Sequence, residues 1–109
     1  MTNTETWTRE DFLAFLTLYG ANADMEISEE EKSWIKQQFG TSHYDKARQL
    51  FDRQSDYENI EVILALREKF CPGEEGKMVV KSFLEQLFKV DNDYSYLEKI
   101  VLKCLEKLL

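Results

Sequence analysis

One proline and four glycines are too few for an all-β chain of 109 residues, which would spend both on its turns. Basic residues are also short: 14 Lys and Arg stand among 21 Asp and Glu, for a net charge of −7. A protein that grips phosphate backbones needs clustered cations, so nucleic acid and anionic membrane surfaces are excluded as expected partners. Only two cysteines occur, Cys71 and Cys104, without metal-ligand spacing and inside apolar helical patterns. Both are expected as reduced core thiols, with no His or Arg placed to activate them. No apolar run approaches the ~20 residues of a membrane span, and the polar opening from Met1 to Thr8 lacks an apolar signal stretch. A cytoplasmic location is therefore expected. A Gly-rich phosphate loop is missing as well. The single histidine, His43, has only Asp45 near it in sequence, so a polar surface role is expected and no catalytic residue is assigned.

What remains is a chain with 43% hydrophobic and 13% aromatic residues, enough to pack the core of one domain. Its helix starts share a device. Ser or Thr followed three residues later by Asp or Glu forms a capping box, in which hydroxyl and carboxylate each take a free backbone N–H. Thr8/Asp11, Ser28/Glu31, Ser42/Asp45, Ser55/Glu58 and Ser95/Glu98 fit; Ser82/Glu85 also fits but falls inside an apolar period.

Between these signals six helices are expected. The first covers about 9–22, with Phe12, Phe15, Leu16, Tyr19 and Ala23 on one face. The second follows Ser28 with Trp34, Ile35 and Phe39, and stops at Gly40. The third follows Ser42 with Tyr44, Ala47, Leu50 and Phe51. The fourth follows Ser55 with Ile60, Ile63, Leu64, Arg67 and Phe70, and ends at Pro72–Gly73. The fifth starts near Glu75 and carries Val79, Val80, Phe83, Leu84, Leu87 and Phe88. The sixth follows Ser95 with Leu97, Ile100, Val101, Cys104, Leu105 and Leu108. The expected architecture is all-α: a compact single-domain bundle of about six helices over 9–109, behind a disordered tail at 1–8.

One pattern occurs twice. Asp24, Glu26, Ser28 and Glu31 read D-x-E-x-S-x-x-E; Asp91, Asp93, Ser95 and Glu98 read D-x-D-x-S-x-x-E, each member at the same offset from its counterpart. An apolar helix leads into each acidic corner and another leads out, giving two related helix–loop–helix units. Acids at the first and third positions of an extended turn point the same way, as a hard cation such as Ca²⁺ requires. The EF-hand spacing is not met, because Glu comes at position eight and no Gly stands at position six. The shorter spacing is that of a capping box, with Asp24 and Asp91 closing the turns. Capping thus stands beside divalent-cation binding as the other reading.

These residues resemble the TerB-like family of tellurite-resistance proteins, which includes the N-terminal domain of DjlA-type co-chaperones. The family pattern is an apolar helix ending in Ala-Asp-Gly, then a hydrophobic residue, Ser or Asp, and a Glu. Ala23, Asp24, Ile27, Ser28 and Glu31 match the first copy; Val90, Asp91, Tyr94, Ser95, Leu97 and Glu98 match the second. Met25 and Asn92 stand where the family has Gly, and of the two only Asn readily adopts φ > 0. The resemblance implies an all-α bundle of two pseudo-symmetric halves, associated with stress responses. It also implies an acidic metal-binding site, whose ligands carried over by position are Asp24, Glu26, Glu31, Asp91, Asp93 and Glu98; no cofactor is assigned beyond the divalent cation, such as calcium, that the acid spacing would suit. The expected function is a non-catalytic protein-interaction module of TerB type with an unidentified protein partner and no small-molecule substrate. Divalent-cation binding through the two acidic loops is the alternative. Tyr44, Tyr57, Tyr96 and the apolar final helix are the expected docking elements.

Overall fold

The computed structural model describes residues 7–22, 27–90 and 103. They form an all-α domain of five helices: α1 (Arg9–Ala21), α2 (Glu29–Phe39), α3 (Thr41–Arg53), α4 (Asp56–Phe70) and α5 (Gly73–Phe88). The expected sixth helix lies outside the described residues, apart from helical Lys103. Of the stretch 1–8, only Trp7 and Thr8 are described. Trp7 is buried with its ring edge-on to Phe15, and Thr8 caps α1.

Three of the expected capping boxes form in full. Thr8, Ser28 and Ser55 each accept from the third helical N–H, while Asp11, Glu31 and Glu58 accept from the cap's own N–H. The Ser42/Asp45 box does not form. α2 and α3 are separated by Gly40 alone, whose φ of 103° and ψ of 147° favour a residue without a side chain. The turn completes in that one residue, so α3 begins at Thr41 and Ser42 falls inside its first turn. Ser82 lies within α5, where its hydroxyl accepts from Gln86 Nε2. Between α4 and α5, Cys71 ends one helix and Pro72 caps the next, so α5 starts two residues before Glu75.

The helices pack around α1, which contacts all four others and meets α3 most extensively. It is buried on nearly every side: Asp11 through Leu18, Gly20 and Ala21 are all inaccessible. The one-faced stripe expected for this helix is thus corrected to an all-round apolar rod at the centre of the bundle. Thr17 fits there because its hydroxyl donates back to the carbonyls of Leu13 and Ala14. On α4 the buried stripe is Asn59, Val62, Ile63 and Leu66, rotated from the expected one; Ile60, Leu64, Arg67 and Phe70 are only half-buried. Cys71 is a buried free thiol, as expected; Cys104 lies outside the described residues.

Candidate functional site

Of the six acids in the expected metal set, only Glu31 is described; Asp24, Glu26, Asp91, Asp93 and Glu98 lie outside the described residues. Glu31 is buried, its Oε1 accepting from the Ser28 N–H at 3.1 Å while Ser28 Oγ accepts from the Glu31 N–H at 3.1 Å. Its placement is that of a capping carboxylate. Among the described residues, no group of three or more His, Cys, Asp or Glu side chains is arranged to hold a metal ion.

His43 is not the isolated surface residue expected from its sequence neighbours. Its Nδ1 lies 2.6 Å from Oδ1 of Asp11, on α1, rather than beside Asp45. Lys46, one turn further along α3, donates from Nζ to Asp11 Oδ2 at 3.1 Å, and the Thr8 N–H donates to the same oxygen at 2.9 Å. Asp11 itself is only 1% exposed. Burial is the largest influence on this carboxyl and alone would raise its pKa. The hydrogen bonds from His43, Thr8 and Lys46, with the Lys46 charge, outweigh burial and hold it below its ordinary value. A carboxylate that caps α1 is thus also the ionic joint to α3. The sequence holds a sign of this: His43, Lys46, Ala47 and Leu50 follow the spacing of one helix face, so two polar residues sit on the stripe that meets the core.

A different region is concave. One face of α2, carrying Glu30, Ser33, Trp34 and Gln37, lines an open groove of about 440 Å³ together with Glu29 and Val90, just past the end of α5. The half-buried Trp34 is set edge-on to Phe39 at 6.1 Å, and Phe39 packs on Phe83 of α5 at 5.3 Å. This run of rings fixes the indole at the wall of the groove. Glu29 and Glu30 rim it and are exposed; Lys32 reaches Glu29 at 3.2 Å. His43 is not among its lining residues.

The expected docking aromatics divide. Tyr44 is buried, with Lys36 Nζ 5.0 Å from its ring centroid, and so offers no docking surface. Tyr57 is 72% exposed, and Tyr96 lies outside the described residues. Among the described residues, no helix is long and apolar enough to cross a membrane. No family model matches the chain, and no curated protein or solved structure does either.

Proposed function

We propose that this chain is a non-catalytic helical protein-interaction module whose docking face is the groove along α2. The observation that carries this reading is an aromatic side chain held at the wall of an open, solvent-facing groove, with polar and acidic side chains around it. Anchors of this kind, a fixed Trp ringed by polar groups, dominate protein–protein binding energies. The chemistry of His43 also favours it. The imidazole and Lys46 share the buried Asp11 carboxylate in a joint between helices, and His43 does not line the groove. A TerB-type role in a stress response remains part of the proposal on the strength of the repeated acidic pattern alone. A cytoplasmic setting rests on the buried, free thiol of Cys71.

Site-specific photo-crosslinking in cells tests it. A benzoylphenylalanine at exposed Gln37, in the groove, is expected to trap a discrete protein partner; the same group at exposed Glu61, on α4, is not. Identical adducts from both positions, or none from Gln37, would overturn the reading.

A further inference from the structure

The acids at the groove point to the chemistry of its occupant. The first turn of α2 sets two exposed carboxylates, Glu29 and Glu30, in the lining of the groove, with Lys32 paired to Glu29 at 3.2 Å. The N-terminal end of a helix contributes only about +0.5 of a charge, so the two carboxylates leave this end of the groove negative even with Lys32 beside Glu29. The whole chain, at −7, adds an attractive field for a cationic partner. Beyond the acids comes Trp34, one helical turn from Glu30 on the same face, with Val90 also lining the groove. An indole face attracts Lys and Arg side chains as well as apolar ones.

We infer that the groove binds a protein segment in which Lys or Arg alternates with bulky apolar side chains, its cations over Glu30 and Trp34 and its apolar residues beside Trp34 and Val90. This rests on the reading of the chain as an interaction module and adds the chemical class of its partner. An acidic segment would set its carboxylates against Glu29 and Glu30. A purely apolar one would leave both acids facing hydrocarbon.

The test uses the intact chain, labelled with ¹⁵N, and two synthetic amphipathic helical peptides of equal length, one of leucine and lysine, the other of leucine and glutamate. The leucine–lysine peptide is expected to shift the amides of Glu29 to Gln37 and of Val90, and the leucine–glutamate peptide to leave them in place. Glu30→Gln, a change at an exposed position, should weaken binding by up to about fivefold, as for a surface ion pair. Trp34→Ala should weaken it by about tenfold. The Trp34 change also removes packing on Phe39, so Glu30→Gln is the variant that decides if the Trp34 protein is unstable.

Glu61→Gln on α4 is the matched control for unspecific attraction to an acidic protein. An equal loss from Glu61→Gln, shifts spread over exposed acids of α4 and α5, or equal binding of the two peptides would each overturn the inference. Shifts at Glu29 to Gln37 that follow protein concentration without peptide would assign the groove to a second copy of the chain, and would overturn it too. If Gln37 still traps a partner in cells while both peptides fail, the docking face stands and the assigned chemistry falls. If neither experiment responds, both fall.

Discussion

Asp11 shows how far a local pattern reaches at the scale of one residue. Thr8 followed three positions later by Asp announces a capping box, and the box forms. The pattern is blind to the other half of the carboxylate's work, because His43 and Lys46 arrive from α3, more than thirty residues along the chain. Removing one partner from a buried ion pair costs about 3–5 kcal/mol when the other charges stay buried. Here His43 and Lys46 are about a third or more exposed and can turn to water, which lowers the cost. Adding the lost cap, Asp11→Asn is expected to destabilise the fold by about 2–3 kcal/mol at neutral pH. The sign of the pH dependence follows from the depressed folded pKa. The unfolded carboxyl titrates near 3.9, so the stabilisation is complete above about that pH and drains away as pH falls through the lower folded value. Urea unfolding followed by circular dichroism between neutral and strongly acidic pH should show the parent and Asp11→Asn converging at the acid end. An unchanged gap across that range would rule out an ionised Asp11 as the source.

Element boundaries were legible wherever a cap and a stop stood in the sequence, and misplaced where one residue served two helices. Gly40 is both the end of α2 and the start of α3, so the Ser42 signal read one helix start two residues late. The face of α4 went astray for another reason. Ile60, Val62, Ile63, Leu64 and Leu66 form a band too broad for periodicity to locate its centre. Its buried edge is marked by a polar residue, Asn59, whose Nδ2 donates to the Phe51 carbonyl at the end of α3. The α4–α5 junction carries a sharper constraint. A Cβ on Gly76 would lie 1.9 Å from the Cys71 carbonyl oxygen, a backbone atom that cannot swing aside. A Cβ on Gly20, in α1, would meet Leu84 Cδ2 at 2.7 Å and Phe88 Cζ at 3.2 Å, both on side chains that can shift. Alanine normally improves a helix interior by about 1 kcal/mol over glycine. At Gly76 the clash should reverse that sign and lower the melting temperature by at least about 4 °C, with Gly20→Ala costing less. Calorimetry of the two variants checks the order; a Gly76→Ala protein as stable as the parent would mean that the junction opens without cost.

For the molecule as a whole, the position of α1 matters more than the number of helices. The run from Phe12 to Leu18 is apolar at every position but Thr17, and a helix apolar all round belongs at a centre. That signal was present, and an amphipathic template applied uniformly to every helix passed over it. The candidate site was less legible. Five of its six expected acids lie outside the described residues, and the groove arises from the meeting of α2 with the end of α5, which no local pattern records. The central place of α1 has a consequence for cooperativity. Each outer helix can detach while leaving the others some mutual packing, whereas freeing α1 strips apolar surface from α2, α3, α4 and α5 together. Amides of α1 from Phe15 to Leu18 should therefore exchange with solvent only through global unfolding, at a free energy equal to that from urea denaturation. Those of α4, whose contact with α5 is slight, should exchange through smaller openings. Native-state hydrogen exchange across a urea series separates the two cases. Amides of α1 exchanging as readily as those of α4 would show that the bundle does not unfold around its central helix.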